Sequence, residues 1–211
     1  MTLTAFRCYC FDSTPVTSAP MKAVVPAIDD YIRSAQEGHQ AAFSEVVRQF
    51  RGRVFAMAAK YARNHHELDD LAQEVFIHVW KGLPRYRWEA PFEHWLTRIA
   101  VRCCFDFLRR HRRQRERECS RDALMEAGVL TEPVAPHEAE ENAACAIIRQ
   151  AMQRLKPAEQ LILTLLELED RSVRETAVLT GWSEANVKVR AHRARLALRL
   201  AVGSLQAGAK P

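Results

Sequence analysis

The sequence predicts an all-α protein made of two small helical domains joined by a flexible linker. Apolar residues recur with a period near 3.6 in both halves of the chain, and no segment alternates as a β-strand would. Between the halves the apolar pattern gives way to charged residues with Gly128, Pro133 and Pro136, a composition typical of a linker. We place a disordered leader at 1–25, the first module at 26–113, the linker at 114–142, the second module at 143–204 and a disordered tail at 205–211.

The first module contains three amphipathic helices preceded by a short one. The short helix begins at Tyr31 and ends near Gly38, and the apolar stripes of the longer helices run from Phe43 to Tyr61, from Leu68 to Leu83 and from Phe92 to Phe107. Three amphipathic helices of this length can close a core of their own. The first module is therefore expected to fold as a helical bundle.

The second module follows a linker in which we expect one short helix, at Ala123 to Ala127. One helix is predicted from Ile147 to Leu155, and Pro157 is placed at the first turn of the next, where its missing N–H is tolerated. Leucines and an isoleucine from Leu161 to Leu168 form the inner face of that helix. Two more helices complete the module.

The segment Ser172 to Lys188 has the pattern of a helix-turn-helix. Ala177 is small enough for two helices to cross, Gly181 can adopt the positive φ of the turn, and Ser183 can cap the second helix. Val187 is expected to point into the core. The residues expected on the opposite, groove-facing side are Lys188, Val189, His192 and Arg193.

An ordinary helical hairpin has similar small and apolar residues, so the turn pattern alone leaves both interpretations open. Arginines favour DNA, because a phosphate backbone attracts cations spaced one helical turn apart. The arginines concerned are Arg190, Arg193, Arg195 and Arg199. The whole chain has 31 lysines and arginines against 26 acidic residues, a net charge of +5, which suits a polyanionic partner.

Composition argues against several other classes of protein. Six scattered cysteines do not form a disulfide framework, and Cys103 with Cys104 is expected to pack in the core. The Cys8 and Cys10 pair lacks a second pair at zinc-like spacing, and His65 lies at a helix entry, so no metal site is expected. No glycine-rich phosphate loop or activated nucleophile is found, which predicts a non-enzymatic protein without a cofactor. No segment resembles a membrane span or a secretory signal, so we expect a cytoplasmic protein.

Four motifs give the chain a resemblance to a known family over roughly Ala41 to Val202. They are DDLAQEVFIHVW at 69–80, FEHWLTRIA at 92–100, LKPAEQ at 155–160 and the helix-turn-helix. In this order and spacing they resemble the extracytoplasmic-function (ECF) sigma factors of the sigma-70 family. The resemblance implies a subunit that binds core bacterial RNA polymerase and directs it to promoters. Region 2 would then recognise and melt the start-proximal element, and region 4 would recognise the upstream element.

The resemblance places polymerase docking on the helix around 69–80. Asp70, Gln73 and Glu74 match positions that the family uses there, Trp80 lies near that contact, and Ile77 is an apolar residue on the same outer face. The residues themselves indicate the same role, because an acidic outer face with an exposed isoleucine suits a partner helix that carries basic side chains. The alternatives are a solvated face with one stray isoleucine and a tryptophan that belongs to the core.

The loop between the second and third long helices, residues 85–91, interleaves cations with aromatic rings. Such a composition suits an unpaired base, which stacks on a ring while its phosphate meets an arginine. The resemblance implies that Arg85, Tyr86 and Trp88 capture a base flipped from the non-template strand. Alternatively, the two rings cap the hydrophobic core beneath the loop. Trp95 is expected mainly to pack.

The remaining DNA contacts are predicted on two helices. On the helix that begins at Phe92 the candidates are Arg98, Arg102, Arg109 and Arg110, continued by Arg112 and Arg113. Arg102 stands where the family often has Asn, which changes the hydrogen bonds offered to a base. In the second module we expect Val189, His192 and Arg193 to face bases, and Asn186, Lys188 and Arg190 to face phosphates. Arg193 is the main specificity candidate, since arginine binds guanine through two hydrogen bonds.

The turn itself also departs from the family pattern. Thr176, Thr180 and Ala191 replace larger aliphatic residues, while Trp182 replaces a smaller one. We expect the indole to fill the volume that the small residues leave.

The partners implied by the resemblance are core RNA polymerase, through its clamp helices and flap, promoter DNA and an anti-sigma factor, with no membrane insertion. Two other hypotheses remain open from the residues. One is a stand-alone helix-turn-helix regulator that binds an operator as a dimer, and the other is an interaction module that regulates polymerase without DNA.

Overall fold

The computed structural model describes residues 27–122 and 143–208, and within these ranges the regular structure is helical, as the sequence predicts. The α-helices are α1 (Ile28–Gln36), α2 (Gln40–Ala58), α3 (His65–Gly82), α4 (Phe92–Asp122), α5 (Ala143–Arg154), α6 (Pro157–Leu163), α7 (Val173–Thr180) and α8 (Glu184–Gly208). A 3-10 turn (Leu83–Arg85) follows α3 and a π-helical turn (Thr164–Leu168) follows α6. The predicted leader and the predicted helix at 123–127 lie outside the described residues.

Helices α1 to α4 form the first module around one apolar core. Ile32, Leu71, Leu83 and Leu96 are among its fully buried side chains. The first helix begins at Ile28, three residues before the predicted start, because Asp29 and Asp30 lie in its first turn, where acidic side chains complement the helix dipole. The predicted bundle is confirmed.

Two local features fix α3 between α2 and α4. At its start, the Asn64 side chain accepts a hydrogen bond of 2.8 Å from the Glu67 N–H, which satisfies a free donor of the first turn. At its end, Gly82 faces the Trp95 ring so closely that a Cβ there would lie 3.1 Å from Cζ2. A glycine therefore lets α3 and the start of α4 approach each other.

Helix α4 is longer than predicted. It continues past Gln114, where we expected the linker to begin, and ends at Asp122. A contact with the second module, which the sequence pattern does not reveal, helps to hold this added length of helix. The Arg115 guanidinium donates a hydrogen bond of 3.1 Å to the Gln153 carbonyl oxygen in α5. The predicted disordered tail likewise begins inside a helix, since α8 reaches Gly208.

Helices α5 to α8 form the second module. The core between these helices includes the buried side chains of Leu155, Ile162, Leu163, Val187, Ala191 and Ala194. Pro157 opens α6, and the Glu159 carboxylate accepts a hydrogen bond of 3.0 Å from the Lys156 N–H, as expected at a helix start. The small alanines on α8 allow α5 and α6 to pack closely against it.

The two modules also pack against each other. Leu161 and Leu165 of the second module belong to the core of the first, next to α4. The rings of Phe105 and Trp182 meet edge to face with centroids 5.7 Å apart. An ion pair also connects the modules: the Lys60 ammonium lies 3.0 Å from the carboxylate of Glu169, whose side chain is only 5% exposed. The linker therefore joins modules that share a buried interface in this structure.

The adjacent cysteines of α4 are both buried at the centre of the molecule. Burial raises the pKa of the Cys103 thiol to about 12 and raises that of Cys104 as well. Both side chains therefore pack as neutral thiols, which agrees with the predicted core role.

Candidate polymerase-binding and DNA-binding surfaces

The outer face of α3 carries the residues predicted to bind polymerase. Asp70 and Gln73 are exposed, and the Asp70 carboxylate lies 3.0 Å from His66 Nδ1. Ile77 is 40% exposed, in contrast to Val75, Phe76 and Val79 of the same helix, which are buried. This face thus combines an apolar residue with polar neighbours, as a docking surface does.

Glu74 is half-buried and already has a partner. Its carboxylate accepts two hydrogen bonds from the Arg110 guanidinium of α4, one of them 2.8 Å long. These bonds raise the pKa of Arg110. The structure therefore joins one predicted polymerase-binding residue directly to one predicted DNA-binding residue.

Trp80 lies at the inner edge of the same face. Its ring is half-buried and packs against Phe43 with centroids 4.8 Å apart. This placement corresponds to the alternative in which Trp80 belongs to the core.

Tyr86, in the aromatic loop, is turned inward. The side chain is 6% exposed, and its ring lies 5.6 Å from Phe92 and 5.1 Å from Trp95. Burial, helped by the Asp29 carboxylate, raises the pKa of the phenol, which donates a hydrogen bond of 2.7 Å to the Ala90 carbonyl oxygen. The Tyr86 ring therefore packs in the hydrophobic core, which was the alternative to base capture. Arg85, next to it in the chain, is exposed.

Trp88 is half-buried and has a backbone φ of 62°, in the left-handed region. Its indole N–H donates a hydrogen bond of 3.0 Å to Gln36 Oε1. The Gln36 amide also donates to the carbonyl oxygens of Leu83 (3.0 Å) and Tyr86 (2.9 Å). Arg33 lies over the indole ring, 4.7 Å from its centroid. Sequence analysis missed both α1 residues, because nothing local links positions about 50 apart.

The predicted arginines of α4 lie on its outer surface. Arg98, Arg102 and Arg109 are exposed and, by helical spacing, share one face with Phe105. Arg109 has a nearby anion, the Asp106 carboxylate at 3.7 Å. This face therefore presents cations next to the ring that contacts the second module.

The helix-turn-helix has the local geometry predicted from its sequence. Ser172 and Glu175 form a capping box at the start of α7, and Gly181 adopts a φ of 74° in the turn. The Asn186 N–H donates a hydrogen bond of 3.3 Å to Ser183 Oγ, so Ser183 caps α8. Val187 is fully buried beneath the turn.

The opposite side of α8 is open to solvent. Lys188, Val189, His192 and Arg193 are all exposed, Val189 to 50%. The structure therefore brings these predicted DNA-facing residues together on one surface. Among the remaining arginines of α8, Arg195 forms an ion pair with Glu167.

Two predicted phosphate contacts are already engaged with neighbours. The Arg190 guanidinium donates a hydrogen bond of 2.6 Å to the Asn186 side chain and lies over the Trp182 ring, 4.5 Å from its centroid. The indole packs against the cores of both modules. Trp182 thus lies beside the turn, as expected, but it also reaches Phe105, a contact that the repacking hypothesis did not include.

Residues 27–122 and 143–208 contain no group of three or more His, Cys, Asp or Glu side chains placed to hold a metal ion. In the same part of the chain, none of the helices is both long and apolar enough to cross a lipid bilayer.

The fold and its surfaces define the class of protein: a two-module, all-α protein whose helix-turn-helix is suited to binding DNA. Residues 46–114 match the family model of sigma-70 region 2, and residues 145–198 match that of sigma-70 region 4. The chain therefore belongs to the sigma-70 family, as an ECF RNA polymerase sigma factor.

Curated relatives agree with this assignment. The RNA polymerase sigma factor NccH of Alcaligenes xylosoxydans xylosoxydans is 30% identical, over 86% of this chain and 98% of its own. The ECF RNA polymerase sigma factor SigM of Mycobacterium tuberculosis is 29% identical, over 81% of this chain and 82% of its own. SigW of Bacillus subtilis is 25% identical, over 80% and 92%.

Two solved structures share the fold. CnrH, solved in complex with the cytosolic domain of CnrY, has a TM-score of 0.52 at 19% identity and covers 86% of this chain and 97% of its own. The sigma factor RpoE from Bartonella quintana, solved with the anti-sigma factor NepR, has a TM-score of 0.51 at 20% identity and covers 76% and 96%.

As a sigma factor, the protein binds core bacterial RNA polymerase and directs promoter-specific initiation of transcription. Region 2 recognises and melts the start-proximal element, and region 4 recognises the upstream element. The resemblance drawn from the sequence is confirmed, and the stand-alone dimeric regulator is not favoured.

Proposed function

We propose that the sigma activity is divided among three surfaces of this chain. The polymerase-docking surface is Asp70, Gln73, Glu74 and Ile77, with the core-packed Trp80 at its inner edge. The melting surface is Arg85, Tyr86 and Trp88 of the loop with Arg98, Arg102, Arg109 and Arg110 of α4. The recognition surface is Asn186, Lys188, Val189, Arg190, His192 and Arg193. Region 2 then extends from α1 through α4, and region 4 from α5 through α8.

The observation that best supports this division is the arrangement of α8. Val187 is buried on one side while Val189, His192 and Arg193 are exposed on the other. A helix held from behind in this way can enter the major groove with its exposed face. Arg193 then binds guanine through two hydrogen bonds, and Val189 supplies an apolar contact suited to a thymine methyl.

Docking on polymerase is supported by the exposed part of α3. Gln73 and Ile77 lie one helical turn apart on the solvent side, and Asp70 adds negative charge a turn earlier. An apolar anchor surrounded by polar groups is the usual composition of an energetically important contact. The acidic residues complement a partner helix that is rich in cations.

Promoter melting is assigned to the loop and to the arginine face of α4. Exposed Arg98, Arg102 and Arg109 neutralise phosphates, which makes this part of the affinity fall as salt is raised. Trp88 supplies the ring on which an unpaired base stacks. Tyr86 acts from beneath, because its buried ring supports the loop.

The mechanism is positional and not enzymatic. The protein acts in the bacterial cytoplasm together with core polymerase, and an anti-sigma factor is its proposed restraining partner. Support for that partner comes from the structurally similar RpoE of Bartonella quintana, which was solved with the anti-sigma factor NepR.

The test is transcription in vitro from fragmented genomic DNA, with bacterial core polymerase and the full chain. We expect promoter-specific transcripts that need the chain. Gln73→Ala should weaken association with core, because the variant loses a docking contact. Arg193→Ala should keep core association and change which promoters are used.

Matched controls are Gln49→Ala and Arg48→Ala, two exposed side chains of α2 outside all three surfaces. Both should leave transcription and core binding unchanged. The sigma assignment fails if the chain does not bind core. The residue assignments fail if Gln73→Ala and Arg193→Ala behave like their controls.

A further inference from the structure

Helix α1 lies before both family-model matches, the first of which begins at residue 46, yet its side chains contact the aromatic loop directly. Gln36 uses its side chain for three hydrogen bonds: it donates to the carbonyl oxygens of Leu83, in the 3-10 turn, and Tyr86, in the loop, and accepts one from the Trp88 indole. Arg33, one turn earlier on the same face, covers the indole ring at 4.7 Å. Helix α1 thus holds the Trp88 indole at its N–H edge, through Gln36, and on one face, through Arg33.

Trp88 is held in an unusual backbone conformation. Its φ of 62° is rare for a bulky residue, and it persists only where surrounding contacts compensate. Such strained positions cluster where a side chain must be presented to a ligand. The contacts that compensate here come from Gln36 and Arg33, together with the Tyr86 ring, whose centroid lies 5.0 Å from that of Trp88.

From this geometry we propose that Gln36 is the positioning residue of the base-capture loop, and that Arg33 assists it by holding the indole face. The inference rests on the proposed function of Trp88 as a stacking ring for an unpaired base. By fixing the indole before DNA arrives, Gln36 removes the entropy cost of ordering the ring during capture. It also fixes where the indole ring stands on the loop and therefore which base is preferred against it.

The alternative is that Gln36 only stabilises the fold. A structural role would lower binding of all DNA sequences equally, whereas a positioning role changes the preference at one base position. The experiment must therefore measure preference at each position separately.

The probe is a pool of fork-junction DNAs whose single-stranded non-template segment is randomised. Full-length protein is assembled with bacterial core polymerase, bound molecules are recovered, and the base preference at each position is obtained by sequencing. Trp88→Ala should weaken binding by about tenfold, the effect of losing one stacked base, and should reduce the preference at the one position whose base the ring holds. Gln36→Met, which keeps the side-chain length, should reduce the preference at that same position by about three- to tenfold.

A second variant should leave the fold intact, because Arg33 is exposed and its substitution removes no buried contact. Arg33→Met should reduce the same preference about two- to fivefold through loss of the cation above the ring. Its matched control is Arg51→Met, which removes a comparable arginine from above Phe55, at 5.1 Å, in the same module. The control for Gln36→Met is Gln49→Ala. Both controls should leave every position unchanged.

A double variant tests the contact directly. Trp88→Phe removes the indole N–H but keeps a ring, so Gln36→Met in that background should reduce the preference less than it does alone. Equal reductions in both backgrounds would show that Gln36 acts elsewhere and would overturn the proposal.

Two further results separate the inference from the function on which it rests. If Trp88→Ala changes the preference and neither Gln36→Met nor Arg33→Met does, the positioning role is wrong and base capture stands. A uniform loss of binding with Gln36→Met, accompanied by a lower Tm, also overturns the positioning role. If Trp88→Ala leaves every position unchanged, base capture by this loop is wrong, and the positioning role is wrong with it.

Discussion

The two regions assigned to base recognition present their side chains in opposite ways. On α8 the candidates Val189, His192 and Arg193 stand exposed on a rigid helix. In the loop, Tyr86 is buried and Trp88 is half-buried under contacts from α1. Duplex DNA displays its base edges in the groove, so an exposed helix face suffices there. An unpaired base needs a pocket, and a pocket has to be built into the core of its module.

This comparison has a measurable consequence for stability. Substitution of the buried aromatic ring of the loop should lower the free energy of unfolding strongly, whereas substitutions on the exposed face of α8 should hardly change it. Residues that connect the two modules, or that support α8 from behind, should fall between these limits.

Tyr86→Ala should have the largest effect. Removing a buried aromatic ring costs about 3–5 kcal/mol, and here the ring contacts both Phe92 and Trp95. Urea denaturation of the full chain measures the change. The exposed neighbour provides the control, since Arg85→Ala should alter stability by less than about 0.5 kcal/mol. Similar values for the two variants would contradict the burial of the Tyr86 ring in the core of the first module.

Trp182→Ala should come second, at about 2–3 kcal/mol, because the indole is only half-buried but packs against both modules. Helical content measured by circular dichroism should be retained. Combining it with Phe105→Ala tests the interface, and the edge-to-face pair should give a coupling of about 1 kcal/mol. A coupling near zero would show that the two rings do not interact in solution.

Ser172→Ala should cost about 1 kcal/mol, the usual effect of losing a helix N-cap. The Ser172 hydroxyl accepts a hydrogen bond of 3.1 Å from the Glu175 N–H, and Glu175 bonds back to the Ser172 N–H. Hydrogen exchange should become faster in α7 and remain unchanged in α1 to α3. Faster exchange throughout the first module would mean that the modules unfold as one unit.

Arg193→Ala should have the smallest effect on folding, below about 0.5 kcal/mol, since the side chain is exposed. Its effect on recognition should be larger, at about 1–3 kcal/mol for the promoter position that it contacts. The two quantities are measured by urea denaturation and by competition between promoter variants for the holoenzyme. A variant that unfolds easily and keeps its promoter choice would reverse the roles assigned to α8 and the loop.

Much of the fold follows from local sequence signals. The helical period, the capping residue Ser183 and the turn glycine Gly181 act over a few neighbouring positions, so the pattern alone placed them. The exposed face of α8 follows from the same periodicity once Val187 is assigned to the core.

Other features depend on contacts between distant parts of the chain. Gln36 lies 52 positions from the tryptophan it binds, and nothing near it in sequence indicates a partner in the loop. The contact of Phe105 with Trp182 joins two modules that the sequence shows only as separate apolar clusters. The inward position of Tyr86 could not be predicted from the sequence either, because an aromatic residue in a basic loop can pack in a core or stack on a nucleic-acid base.

The ion pair between Arg110 and Glu74 makes the two proposed binding events of region 2 thermodynamically linked. If a phosphate binds Arg110, the Glu74 carboxylate loses its partner and can bind a cationic group on polymerase. If polymerase binds Glu74 first, the Arg110 guanidinium becomes available to a phosphate. The free energy by which bound promoter strengthens polymerase binding must equal the free energy by which bound polymerase strengthens promoter binding. A surface pair of this kind transmits at most about 1 kcal/mol, which gives polymerase and promoter a modest mutual preference without any movement of the backbone.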